Sequence, residues 1–274
     1  MIATAAPAIP FAELNARSSQ RTGGRSAIDC RGVTFGYAAS VGAKSIIFNL
    51  SLTIKNGEFV CVLVQSGCGK TTLLCLIAGF LRPTSGDIVV EGQRVRGPDP
   101  QRGMVFQEYS LFPWLTTRGN VEFGLRMRGV SRSERRATSD RYLELVGLGQ
   151  AAGNYPFQLS GGMKQRAAIA RALAANPRAL LMDEPFAALD AMTRAHLQEQ
   201  LLAIYRQARM TIVFVTHNIA EAISLATRII VLGQGGQIIE DLPVTSEYPR
   251  SRTGPEFNEL YNRLGTALGA RQIE

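Results

Sequence analysis

The chain has 274 residues, 46% of them hydrophobic and 19% charged, enough apolar material for one large domain or a domain with an appended lobe. Its longest apolar stretches, Phe59–Val64 and Arg228–Leu232 with their flanks, are strand-sized. They fall short of the roughly 18 to 20 residues that span a bilayer, so the chain is not expected to cross a membrane by itself. A net charge of +8 points to an anionic partner (nucleotide, nucleic acid or an acidic membrane surface), with a merely solvated basic surface as the alternative.

Residues 1–26 are rich in Ala, Pro, Ser, Gly and Arg, and Pro7 and Pro10 interrupt what apolar pattern there is. A disordered or loosely attached arm is expected, and no secretory signal. Ile28–Phe35 and Ile46–Ile54 alternate β-branched and aromatic residues with polar ones and read as an antiparallel strand pair. Glu58–Val64 reads as a strand buried on both faces. Lys70–Leu81 has helical spacing, as does most of Asn120–Val146, with Arg126, Arg128, Arg132, Arg135 and Arg136 expected on solvated faces.

Ser160–Ala175 reads as a further helix, Ala179–Met182 as a buried strand, Arg194–Gln207 as a helix and Thr211–Thr216 as a strand. Strands alternating with helices imply a parallel, doubly wound α/β core, with a helical lobe inserted at about 110–175. After Leu242 the chain turns Pro- and Gly-rich and ends in a short helix from Glu256 to about Leu268. The four cysteines, Cys30, Cys61, Cys68 and Cys75, lack metal-site spacing and read as reduced, mostly buried thiols.

Three motifs carry chemistry. In Ser66-Gly67-Cys68-Gly69-Lys70-Thr71-Thr72, between a buried strand and a helix, small residues let backbone N–H groups turn toward phosphates. The helix N-terminus adds its positive dipole end, Lys70 a point charge, and Thr71 a hydroxyl suited to Mg²⁺. The first glycine of the full pattern falls on Val64. A positive φ there costs about 1–3 kcal/mol, whereas strand geometry accommodates valine. In Leu180-Leu181-Met182-Asp183-Glu184-Pro185, two acids sit where ligands bind in open α/β sheets. Asp183 suits Mg²⁺ held through water, and Glu184 suits polarising the water of an in-line phosphoryl transfer. In Leu159-Ser160-Gly161-Gly162-Met163-Lys164-Gln165-Arg166, a Ser-Gly-Gly turn opening a helix forms a second anion site. One γ-phosphate does not need two helix N-termini of one chain, so this one is free to serve a neighbour's nucleotide.

In their order, Ser66–Thr72, Gln107, Leu159–Arg166, Leu180–Glu184, Ala188-Leu189-Asp190 and His217 resemble an ABC transporter ATPase over about residues 27–240. The resemblance implies the P-loop NTPase ABC ATPase fold, with a parallel-sheet core, an antiparallel β subdomain and an inserted helical subdomain. It divides the chain into an arm (1–26), an ATPase domain (27–242) and a C-terminal extension (243–274). It makes Gln107 the loop glutamine that senses Mg²⁺, Asp190 part of a loop crossing a dimer interface, and His217 the switch histidine at the γ-phosphate. Tyr37 becomes the aromatic that stacks on adenine, with Phe35 as a rival. Asn218 stands where the family often has aspartate.

Val105–Trp114 and Met163–Arg166 are similar to the nitrate/sulfonate/taurine importers. That likeness implies Mg-ATP hydrolysis by a homodimer, or by a paired ATPase subunit, on the cytoplasmic face of the inner membrane. It also implies an integral membrane permease and, indirectly, a substrate-binding protein, with no nucleic acid. Leu111, Phe112 and Trp114 are expected to help form the permease-receiving groove, with simple packing of the join between the lobes as the alternative. Two rivals remain: a non-transport ABC ATPase acting on nucleic acid, suggested by the charge, and a nucleotide-binding regulator that no longer hydrolyses, suggested by Val64.

Overall fold

The computed structural model describes residues 26–36, 46–64, 69–208 and 210–269. Two sheets organise them. β1 (Ser26–Phe35), β2 (Ile47–Lys55), β4 (Ser85–Val90) and β5 (Gln93–Arg94) form an antiparallel sheet in the order β2-β1-β4-β5. The second sheet has the order β10-β9-β3-β8-β7-β6, from β3 (Phe59–Val64), β6 (Arg102–Val105), β7 (Ala179–Asp183), β8 (Thr211–Thr216), β9 (Arg228–Leu232) and β10 (Ile238–Pro243). β3 runs parallel to β8 and β9, and β7 parallel to β8 and β6; only β10, at the edge, is antiparallel.

The alternation along β3 shows why the sheet is covered on both faces. Val60, Val62 and Val64 join one core with Val213, Val215 and the buried face of α1 (Lys70–Ala78). Phe59, Cys61 and Leu63 join the other, beneath α4 (Gly161–Ala174), α5 (Ala191–Ala208) and α6 (Ile219–Leu225). Successive strand side chains point to opposite faces, so a strand with helices on both sides must be apolar throughout. Each such Val or Leu contributes about 1.5–3 kcal/mol of burial.

The expected helix over 70–81 stops earlier. Gly79 takes φ 90 and donates its N–H to the Cys75 and Leu76 carbonyls, a left-handed glycine stop after Ala78. The expected helical stretch over 120–146 is two helices, α2 (Thr117–Met127) and α3 (Arg132–Leu145). Gly129 at φ 74 separates them, and a capping box from Ser131 and Glu134 starts the second. Arg135 departs from the solvated face expected of it: its side chain is 22% exposed and its Nε lies 3.3 Å from Glu122 on α2.

The chain returns after β10 to cover α6. In α7 (Pro255–Ala267), Phe257 and Leu264 are buried in the larger core. Residues 1–25, most of the expected arm, lie outside the described residues, and Ser26 already pairs with Lys55. Among the described residues no helix is long and apolar enough to cross a membrane. Cys30 and Cys61 are buried and Cys75 is half-buried, while Cys68 lies outside the described residues.

Candidate active site

The strand order brings distant motifs to one sheet edge. Lys70 and Thr71 open α1 just beyond β3; Asp183 ends β7 and Glu184 follows it; His217 follows β8. β8 lies between β3 and β7, so all these side chains gather at the carboxyl ends of three adjacent parallel strands, the usual ligand edge of such sheets.

Glu184 is the centre of the cluster. One carboxylate oxygen accepts from the Lys70 ammonium, and the other lies 3.0 Å from His217 Nδ1. Glu184 holds φ 43, in the left-handed region, and its N–H donates to Val215 at 2.9 Å, tying the turn to β8. A non-glycine residue there is strained by about 1–3 kcal/mol, and such residues concentrate at functional sites. Burial pushes the Glu184 carboxyl up, but the hydrogen bonds from Lys70 and His217 outweigh it and leave it below the ordinary glutamate value. An ionised carboxylate 8% exposed is the form that accepts a proton from water.

Asp183 contrasts with it. Burial, reinforced by the neighbouring Glu184 charge, raises its carboxyl, against the hydrogen bond from Thr71 and the Lys70 charge. The Thr71 hydroxyl donates to Asp183 Oδ2. A hydroxyl and a carboxylate in contact are hard oxygen donors of the kind Mg²⁺ takes alongside phosphate and water. No three His, Cys, Asp or Glu side chains gather for a metal among the described residues.

Gln107 is exposed and lies two residues beyond β6, the strand next to β7. Thr72 is buried, and Gly69 precedes α1 at φ 83. A Cβ on Gly69 would stand 2.6 Å from Ile46 Cγ2, so only glycine fits. Val64 closes β3 in strand pairing with Leu232, 1% exposed, which is the geometry in which valine is at ease. Ser66, Gly67, Cys68 and Tyr37 lie outside the described residues. Phe35, the rival to Tyr37, is buried in the smaller core, with its ring unavailable for stacking on a base.

A second group forms where α4 and α5 begin. Ser160 caps α4, its Oγ accepting from the Met163 N–H at 3.3 Å. Gly162 lies against Leu189 and the Ala188 carbonyl, and Gly161 against the Tyr109 hydroxyl. Asp190 is exposed and caps α5, accepting from the Thr193 N–H at 2.9 Å; this bond is the main cause of its lowered carboxyl. The start of α4 thus lies beside the Ala188–Leu189 segment, with exposed Ser160 and Asp190 at the two helix starts.

Phe112 is half-buried, its ring 4.4 Å from that of Phe123 on α2 and under the Arg171 guanidinium, so it packs within the helical region. Trp114 is 70% exposed. Buried Asn120 fixes the loop between them, accepting from the Phe112 N–H and donating to the Phe112, Leu115 and Thr116 carbonyls.

Sequence reasoning passed over Glu221. It is 7% exposed, accepts from Thr216 Oγ1 at 2.8 Å, and donates its N–H to Asn218 Oδ1 at 3.1 Å. The signal was present: Asn218 three residues before Glu221 is a helix-start pattern.

A family model described as "ABC transporter" matches residues 47–187. The nitrate import ATP-binding protein of Synechocystis sp. is 47% identical over 248 residues, covering 87% of this chain and 93% of that protein. The bicarbonate transport ATP-binding protein of Synechococcus elongatus is 50% identical over 223 residues, covering 80% of this chain and 34% of that protein. Among solved structures, a dimeric ATP-binding cassette in a post-hydrolysis state with ADP and phosphate superposes with a TM-score of 0.73 at 33% identity, covering 80% of this chain and all of that one.

Proposed function

The chain belongs to the ABC transporter family, as one of its ATP-hydrolysing subunits, and on that premise we propose that it energises uptake of a small anion such as nitrate, a sulfonate or taurine through a separate permease. The observation that carries the hydrolytic half is the Glu184 carboxylate, ionised and held between Lys70 and His217. The transport half is supported by the nitrate import relative, matched along 93% of its length. That the bicarbonate relative also moves an anion supports the class of cargo.

In this reading Glu184 orients and polarises the attacking water, Lys70 takes the β- and γ-phosphates, and His217 contacts the γ-phosphate. Thr71 and Asp183, with Gln107 from the segment after β6, would hold Mg²⁺, which would supply neutralisation of phosphate charge when bound. The glycine-rich loop 66–69 wraps the phosphates and Tyr37 stacks on the base. Ser160, Gly161, Gly162 and Asp190 face the nucleotide of a second copy or a paired ATPase subunit. The subunit sits peripherally on the cytoplasmic face of the membrane, with Trp114 and Leu111 in the permease-receiving groove and a substrate-binding protein as an indirect partner. The arm, ATPase domain and C-terminal extension keep the division at residues 26/27 and 242/243.

Cells lacking the chain should lose uptake of one of labelled nitrate, sulfonate or taurine. The natural chain should restore it and Glu184→Gln should not. Unchanged uptake of all three overturns the transport half, and phosphate release undiminished in Glu184→Gln overturns the hydrolytic half.

A further inference from the structure

Arg194 stands one turn into α5 and folds back on its own loop, donating from Nη2 to the Leu189 carbonyl at 2.8 Å. Its Nε lies 3.8 Å from Glu221 Oε1 on α6 and has no hydrogen-bond partner among the described residues. Glu221 in turn governs both neighbours of His217. Thr216 donates its hydroxyl to it, Asn218 caps its N–H, and the Asn218 N–H donates to Thr216 Oγ1 at 3.1 Å. A continuous set of contacts thus runs from the Leu189 backbone through Arg194 and Glu221 to the peptide on either side of His217.

We infer that Arg194 and Glu221 are positioning residues that couple the Ala188–Asp190 loop to the orientation of His217. The inference rests on the reading of that loop as facing a second chain and of His217 as the γ-phosphate contact. A gap of 3.8 Å is inside ion-pair range and outside hydrogen-bond range. A loop movement of under about 1 Å closes it into a charge-assisted bond or opens it further, and such bonds are roughly twice as strong as neutral ones. Glu221 is buried, so the exchange takes place where charges are weakly screened and a small displacement carries a large energy. A pair standing just outside hydrogen-bond range can be biased from either end, which is what coupling between sites requires. Engagement of the partner at Leu189 and Asp190 is thereby felt at His217, within reach of Glu184.

The chain's two histidines make this measurable, because the imidazole region of a ¹⁵N-labelled sample holds signals from His196 and His217 alone. The His196→Gln variant assigns them. Asp190→Ala should shift the His217 ring resonances in the otherwise natural chain. That shift should fall by about threefold or more when either Arg194→Met or Glu221→Gln is added, the signature of coupled rather than additive sites. Glu221→Gln keeps volume and an acceptor for Thr216, so it reports on the charge even where Arg194→Met fails to fold. An absent Asp190→Ala shift, or one undiminished in a folded second-site variant, overturns the inference. The measurement uses neither ATP nor dimerisation, so failure of the proposed function, read by phosphate release, is separately visible.

Discussion

Lys70 and Glu184 are 114 residues apart in the chain and form an ion pair at the carboxyl edge of the central sheet, 15% and 8% exposed respectively. The pair joins the residue expected to hold phosphate to the residue expected to activate water. Truncating one member leaves the other charged and desolvated, which costs several kcal/mol in buried pairs, so conservative replacements are the informative ones.

Glu184→Gln keeps the shape and removes the base. Hydrolysis should fall by about 10²-fold or more while ATP binding is retained, since a positioned general base contributes about 10²–10⁴. Phosphate release and nucleotide titration on the same preparation check both halves.

The same variant isolates a pH dependence. The Glu184 carboxyl is below its ordinary value of 4.5 in the folded chain. Its contribution to stability is therefore complete above about pH 4.5 and is lost as pH falls through the depressed folded value. The stability difference between the natural chain and Glu184→Gln should be flat above that point and shrink below it in denaturant melts. Asp183, raised by burial and by the Glu184 charge, contributes with the opposite sign.

Gly69→Ala places a methyl 2.6 Å from Ile46 Cγ2 at φ 83. About 1–3 kcal/mol of strain is expected at a left-handed position, with a lower melting temperature and weakened nucleotide binding because the same turn starts α1. Val64→Gly should not improve nucleotide affinity. Val64 is a buried strand residue, and its removal should cost about 2–4 kcal/mol through lost burial, residual cavity and backbone entropy. A nucleotide titration showing tighter binding by Val64→Gly would reverse that account of the loop.

Much of this was legible locally. Phe59–Val64, Ala179–Met182 and Ile212–Val215 are short, wholly apolar runs, the pattern of strands covered on both faces. β5 and β6 were not, because β5 has two residues and β6 carries half-buried Arg102, Gly103 and Met104. Their strand character comes from neighbours found only by folding, β4 for one and β7 for the other. The motif acids, lysine and histidine could be named in advance. The Arg194–Glu221 pair could not, since neither lies in a phosphate-binding pattern and the two come within 3.8 Å only in the folded chain.

Arg250 shows the same limit in the C-terminal segment. It donates to the Ile223 and Ala226 carbonyls, each at 2.6 Å, and to those of Val244 and Ser246, with its guanidinium 4.1 Å above the Tyr248 ring. Arg250→Ala strips partners from carbonyls at the end of α6 and should destabilise the fold by about 2–4 kcal/mol. Hydrogen exchange should show α6 and α7 opening before the central sheet.

The account turns on nucleotide shared between two chains. Light scattering of the purified Glu184→Gln chain with saturating Mg-ATP should give twice the single-chain mass, reverting to one chain with ADP. A single-chain mass with ATP demonstrably bound would contradict it.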